Sequence, residues 1–286
     1  MLILDTEMSD SDLRVPRDGA KALLLTVLGE FVLPAGGSVW TSSLIAAADA
    51  LGIGEKNARQ AVARIADQQL IESKRHGRLV RWSLTDRGRR LLEAGAERIY
   101  DFGTASHDWN GEWLVVHCPV PEAQRAVRNQ LRTALAFQGF GELSASLSIS
   151  PHVEREGALR RTLDELGLMG ESVVLRSRTG SRTEDAELVA RAWSLDELAA
   201  TYEEFCRSHG NLRSDDPAAT FRATVELVHD WRRLPFIDPE LPVELLPANW
   251  AGAGAATLFR DRRAAWLPAA RTWFDANDRL PDRSAS

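Results

Sequence analysis

The sequence predicts an α+β protein of several domains: an N-terminal winged helix-turn-helix, a middle ferredoxin-like α/β domain and a C-terminal helical domain. Three observations carry that prediction. Residues 41–84 run helix, glycine turn, helix and arginine-rich hairpin. Residues 112–193 mix strand-like and helix-like periodicities, and beyond residue 194 the apolar positions recur only at helical spacing.

Residues 1–13, with Asp5, Glu7, Asp10 and Asp12, are expected to be disordered and lack the basic-then-apolar order of a secretory signal. A first helix is expected over 18–33, buried through Leu23, Leu24, Val27, Leu28 and Phe31, before the break at Pro34-Ala35-Gly36-Gly37. Thr41 is placed to cap the next helix, whose apolar positions are Leu44, Ile45, Ala48 and Leu51, and Gly52-Ile53-Gly54 turns the chain. A second helix is expected over 55–69. At 100° per residue Ala58, Ala61, Val62 and Ile65 form its buried stripe, leaving Lys56, Arg59, Gln60 and Arg64 opposite and Asn57 at the border.

Those exposed residue types suit DNA. Arginine bonds a guanine edge at two points, glutamine or asparagine does so with adenine, and lysine neutralises phosphate. A charged helix face is more often merely solvated, and the continuation decides the matter. Two short strands, 70–73 and 79–84, are joined by Lys74-Arg75-His76-Gly77-Arg78, with Arg81 on the second, so cations line a wing where a phosphate backbone would pass. Arg87, Arg89 and Arg90 open a further helix running to about residue 100 and are read as solvated. This first domain spans 14–100, and 101–111 is the linker.

In the middle domain, 112–193, strands are expected at 113–120, 143–149, 172–175 and 186–193, with helices at 121–137 and 153–166, a β-α-β-α-β-β order. The C-terminal domain, 194–286, shows three helices marked by Leu195, Leu198, Tyr202 and Phe205, by Phe221, Val225, Val228 and Trp231, and by residues 255–274. Between the last two, Pro235, Pro239, Pro242 and Pro247 exclude a regular helix and predict an ordered extended crossing.

Two cysteines far apart, Cys118 and Cys206, form no disulfide framework, no apolar run reaches membrane-spanning length, and a cytoplasmic, soluble protein is expected. The formal net charge of -6 argues against a general nucleic-acid binder, but its distribution is uneven. Residues 14–98 carry 14 basic against 9 acidic side chains, while 99–286 carry 21 against 28. All three lysines, Lys21, Lys56 and Lys74, lie in the basic segment.

Several motifs extend the reading. They are Leu51-Gly52-Ile53-Gly54-Glu55-Lys56-Asn57-Ala58-Arg59 with Val62-Ala63-Arg64, the wing through Trp82-Ser83-Leu84-Thr85, and Trp109-Asn110-Gly111-Glu112-Trp113 with Val120-Pro121-Glu122. Further along stand Gln138-Gly139-Phe140-Gly141, Trp193-Ser194-Leu195, His229-Asp230-Trp231-Arg232-Arg233, and Asp238-Pro239-Glu240-Leu241-Pro242 with Leu245-Leu246-Pro247. This ordered set, spread from about residue 16 to 274, resembles the PaaX family, the transcriptional repressors of phenylacetic acid degradation. The resemblance implies a homodimer on double-stranded operator DNA, released by a small-molecule effector of the acyl-coenzyme A thioester class, phenylacetyl-coenzyme A in the family's founding case. No cofactor is expected.

An effector role is open to His229, Trp231, Arg232 and Arg233, which could grip phosphate or stack on a ring, though packing and ion pairing account equally well for these four; Trp40 could be a pocket wall, but a core tryptophan is commoner. A regulator or activator answering a different metabolite is one alternative, and a metal-dependent nuclease using the middle domain is the other, less favoured one. The middle domain also resembles CRISPR-associated nucleases that place an acid after the first strand. Here that position is Pro119, and Glu122 is better explained as opening a helix. His117 and Cys118 are adjacent on a strand, point to opposite faces and cannot share a metal ion. No catalytic constellation remains, and the chain is expected not to be an enzyme.

Overall fold

A computed structural model describes residues 19–103, 109–211 and 216–279. The segment 1–13 and part of the 101–111 linker lie outside the described residues. The chain opens with α1 (Ala20–Val27), continued by a π-helical turn (Leu28–Val32), then β1 (Ser38–Trp40), α2 (Thr41–Ala50) and α3 (Glu55–Asp67). A hairpin of β2 (Ile71–His76) and β3 (Leu79–Leu84) leads to α4 (Asp86–Asp101). There follow β4 (Trp113–His117), α5 (Arg125–Phe137), β5 (Gly141–Ser144), β6 (Leu147–Ser150), α6 (Glu156–Glu165), β7 (Val173–Ser177) and α7 (Arg182–Ala192). The remaining helices are α8 (Leu195–Gly210), α9 (Pro217–Trp231) and α10 (Ala251–Asn277). The fold is thus mixed α+β and multidomain, with two antiparallel sheets.

The elements form two compact units that do not follow chain order. One takes residues up to 101 with 207–232 and those from 257 onward; the other takes 102–206 with 233–256. The 194–286 segment therefore contributes to both.

The first unit is built on the apolar stripes of α1, α2 and α3. Leu24, Leu28, Leu44, Ala58, Val62 and Ile65 are buried in one cluster, which Phe221 and Val225 of α9 and Phe274 of α10 complete. Phe31 lies 5.0 Å from Phe221 and 5.3 Å from Phe274, ring centre to ring centre. Gly52 at φ 75° makes the turn between α2 and α3, and Gly77 at φ 63° makes the hairpin turn, both left-handed conformations that favour glycine. The sheet has the order β1-β3-β2.

Two local expectations change here. Thr41 is not a cap but the first residue of α2; its hydroxyl donates to Val80 O at 3.1 Å and accepts from Trp82 Nε1 at 3.0 Å. The start of α2 is tied to the far end of the chain, where Asp278 Oδ1 accepts from Trp40 N at 2.9 Å and from Ser43 Oγ at 2.6 Å. Lys74, Arg75 and His76 belong to β2 rather than to a loop, because only Gly77 and Arg78 separate the strands.

In the second unit the sheet order is β5-β6-β4-β7. Alternation along β4 buries both faces: Leu114 and Val116 join the α5 and α6 residues Leu131, Leu135, Leu159 and Leu163, while Trp113 and Val115 face Val189 of α7 with Leu241 and Leu245. The indole N–H of Trp113 donates to the buried Asp185 at 2.9 Å. Two readings of the middle segment are corrected. Residues 186–192 are helical and Trp193 just beyond them is extended: Ser181 Oγ accepts from Glu184 N at 3.3 Å and Glu184 Oε2 accepts from Gly180 N at 2.9 Å, a reciprocal cap that starts α7. The single strand expected at 143–149 is a hairpin, β5 and β6, bent at Ala145 and Ser146 with a bulge near Ser144. The proline-rich segment holds two 3₁₀ turns, Leu234–Phe236 and Val243–Leu245, with Glu240 at φ 56°.

Candidate nucleic-acid interface

The face of α3 opposite its buried stripe carries Lys56, Asn57, Arg59, Gln60 and Arg64, all exposed. At 100° per residue these five span roughly 160° of the helix, directly away from Ala58, Ala61, Val62 and Ile65. Small residues at 58 and 61 let α3 sit close to the other helices, so the long polar side chains are the ones that project.

Arg59 is not free on this face. Its Nε and Nη2 donate to Glu55 Oε1 at 2.9 and 2.7 Å, one helical turn back. Both side chains are mostly solvated, so the pair is a weak restraint that a DNA edge or phosphate can replace. An open cavity of about 600 Å³ runs beside this pair, walled by Ile45 and Asp49 of α2 and by Arg78 and Val80 of the hairpin.

The hairpin cations divide into two sets. Lys74, Arg75 and Arg78 are exposed. Arg81 instead lies with its guanidinium 5.0 Å from the Trp40 ring centre and donates from Nε to Ser38 Oγ at 3.0 Å. His76 meets the same indole edge-on at 5.5 Å. Trp40, Arg81 and Lys74 share one row across β1, β3 and β2, with Arg81 between the other two, while Arg75 opposite Val80 points to the other face. Trp40 is buried at 5% exposure, so it serves as the floor under Arg81 and His76.

The candidate effector cluster separates in the structure. His229 is buried and shares a 3.1 Å hydrogen bond between Nδ1 and Thr26 Oγ1. Trp231, 1% exposed, stacks on Phe259 at 4.6 Å and donates its N–H to Ile99 O at 3.0 Å. Neither ring offers a face to a ligand. Arg232 and Arg233 follow the helix end and are half-buried.

Sequence reading missed a buried polar centre in the first unit. Glu30, 1% exposed within the π-helical turn, accepts from Arg263 Nη2 at 2.7 Å and from the Tyr100 hydroxyl. Burial, followed by the Glu30 charge, holds the Tyr100 phenol well above its ordinary range, so it remains a donor. The π turn itself has no sequence signature, and Arg263 lies 233 residues away, so spacing could not pair them. Among the described residues no group of three His, Cys, Asp or Glu side chains could hold a metal ion, and no helix is long and apolar enough to cross a membrane.

Comparison with known proteins covers nearly the whole chain. Residues 19–88 match the model of PaaX-like proteins, 106–189 that of the PaaX central Cas2-like domain and 193–276 that of the PaaX-like C-terminal domain. The chain is 32% identical over 267 residues to the Escherichia coli (strain K12) protein named transcriptional repressor PaaX, covering 89% of this chain and 82% of that one. The uncharacterized protein Rv0674 from Mycobacterium tuberculosis has a similar fold, with a TM-score of 0.64 and 24% identity over 91% of this chain and 98% of that one.

Proposed function

The chain belongs to the PaaX family, and from that premise we propose that it is a non-enzymatic, DNA-binding transcriptional repressor of a phenylacetate-type catabolic operon. The observation that carries the reading is the α3 face, on which Lys56, Asn57, Arg59, Gln60 and Arg64 stand exposed beside a cationic hairpin. On this reading residues 14–100 act as a winged helix-turn-helix, with α3 in the major groove and Lys74, Arg75 and Arg78 on the backbone. Residues 112–193 form the ferredoxin-like part, consistent with a β-α-β-β-α-β succession and the strand order β5-β6-β4-β7. Residues 194–286 form the C-terminal part.

The repressor works as a homodimer in the cytoplasm. Two readers then contact half-sites about one helical turn, or a multiple, apart. An aryl-coenzyme A thioester that favours an incompatible arrangement weakens both contacts together, and substantial release requires a preference of roughly 3 to 5 kcal/mol for the non-binding state.

A mobility-shift titration on the promoter upstream of its own operon tests the reading. Arg59→Ala combined with Arg64→Ala is expected to abolish specific binding while leaving the circular dichroism spectrum unchanged, since both side chains are exposed. Retained specific binding by the folded double variant refutes it. Lys74→Ala or Arg75→Ala should weaken all sequences alike and lower the salt slope by about one per lost phosphate contact.

A further inference from the structure

We infer that the acidic segment 2–12 docks on the cationic face of its own first unit, with its apolar tip Leu2-Ile3-Leu4 in the cavity between α2, α3 and the hairpin, and so competes with DNA for that face. The inference rests on the DNA-binding reading above and adds an intramolecular ligand for the same surface.

In the second unit the protein neutralises its own arginines. Arg128, Arg132, Arg155, Arg160, Arg176 and Arg178 each have a carboxylate oxygen within 3.4 Å. Around α3 and the hairpin the balance differs. Residues 41–84 carry seven basic and four acidic side chains. Lys56, Arg64, Lys74, Arg75 and Arg78 are exposed, and none of them makes an ion pair among the described residues.

The opposite imbalance stands at the start of the same unit. Residues 1–13 carry Asp5, Glu7, Asp10 and Asp12 and no basic side chain. Groups tethered on one chain meet at an effective concentration in the roughly millimolar range, so contacts too weak to join separate molecules act here. The tether is long enough: the chain from Asp12 to Ala20 can reach about 27 Å, and α1, which Ala20 opens, packs on α3, itself roughly 20 Å long.

The cavity beside the Arg59–Glu55 pair supplies a seat for the tip. Ile45, Ala46, Leu79 and Val80 give it a half-buried apolar wall. Asp49 and Glu55 also line it, so an apolar run suits it better than a further carboxylate does. Leu2-Ile3-Leu4 is such a run, placed directly ahead of the acids. Seated there, it leaves water while the acids behind it meet the cations of α3 and the hairpin.

Carbodiimide coupling of the full-length protein without DNA tests the contact. Lys21, Lys56 and Lys74 are the only lysines in the chain, so a bond from Asp5, Glu7, Asp10 or Asp12 to Lys56 or Lys74 reports the docked segment. That link is expected within single molecules in dilute solution and should vanish when a scrambled duplex is added. Fluorescence anisotropy then reads the competition. Asp5→Asn, Glu7→Gln, Asp10→Asn and Asp12→Asn combined should raise affinity for operator and scrambled duplex by the same factor, about threefold or more, because both need the same vacated face. The gain should fade as salt rises. Leu2→Ser, Ile3→Ser and Leu4→Ser combined, which keeps every charge, should give a large part of it. The inference is overturned if the segment couples to Lys21 alone or to no lysine, or if the neutralised variant binds both duplexes no tighter than wild type. It is also overturned if the tip variant behaves as wild type, since the acids would then act at a distance without a seat. Failure of wild type to prefer the operator over the scrambled duplex would sink the repressor reading and leave the coupling result standing.

Discussion

Glu55 stands beside the proposed reading face of α3 and occupies the donors of Arg59. An anion beside a phosphate backbone opposes binding, and its grip on Arg59 competes with any base edge. Glu55→Gln should therefore raise DNA affinity a few-fold, on the order of 0.5 kcal/mol for a solvated pair, with a larger proportional gain for non-specific sequences, measurable by fluorescence anisotropy on operator and scrambled duplexes. His152 makes a different kind of point in the second unit. It is buried, with Nε2 2.9 Å from Pro239 O, and burial, followed by the Arg155 charge, holds its pKa below the ordinary 6.5. The unfolded chain takes up a proton there before the folded chain does, so stability present above pH 6.5 falls as pH drops through the window beneath it. Thermal unfolding between pH 7.5 and 5 should show a smaller acid loss in His152→Gln, which keeps a side-chain donor without titrating.

At the scale of the element, the charged centre under α1 is the most exposed to disruption. Arg263→Met leaves Glu30 buried without its cation and should cost about 3 to 5 kcal/mol, whereas Glu30→Leu with Arg263→Met should recover most of that loss; urea denaturation of the three proteins decides it. The same scale shows how much of the fold the sequence disclosed. Helices α3 and α5 were legible because their buried residues recur every three or four positions. The hairpin of β2 and β3 was legible from its glycine turn. α7 was misread because Ala186, Leu188, Ala190 and Ala192 alternate with charged or apolar neighbours in a strand-like way; the Ser181 and Glu184 cap outweighed that pattern. The β5–β6 turn at Ala145-Ser146 carries none of the usual turn residues except serine, so nothing local announced it. On α3, the exposure of Lys56, Asn57, Arg59, Gln60 and Arg64 opposite the buried stripe was legible to the residue. The clasp of Arg59 by Glu55 was written in the four-residue spacing, but the tie from Asp278 to Trp40 and Ser43 was not, because no local rule connects positions more than 230 apart.

For the whole molecule, the division into discontinuous units is the governing fact. Phe221, Val225, Ala270 and Phe274 belong to the same core as α1, α2 and α3. A chain ended after residue 250 should consequently fail to bind operator and should expose the cluster to a hydrophobic dye, although every residue of the reading face is present. Asp278→Ala, which removes only the link to Trp40 N and Ser43 Oγ, should lower operator affinity by a smaller factor and loosen hydrogen-exchange protection at the start of α2.

That shared core also sets an order of events during synthesis. The ribosome delivers Phe31 long before Phe274, and at 5–20 residues per second the interval between residues 101 and 257 is roughly 8 to 30 s. Each newborn copy spends that time with its first unit unfinished. A truncated product of a broken message should then compete poorly for the operator, so the gene it controls is shielded from faulty copies by the route of the chain alone.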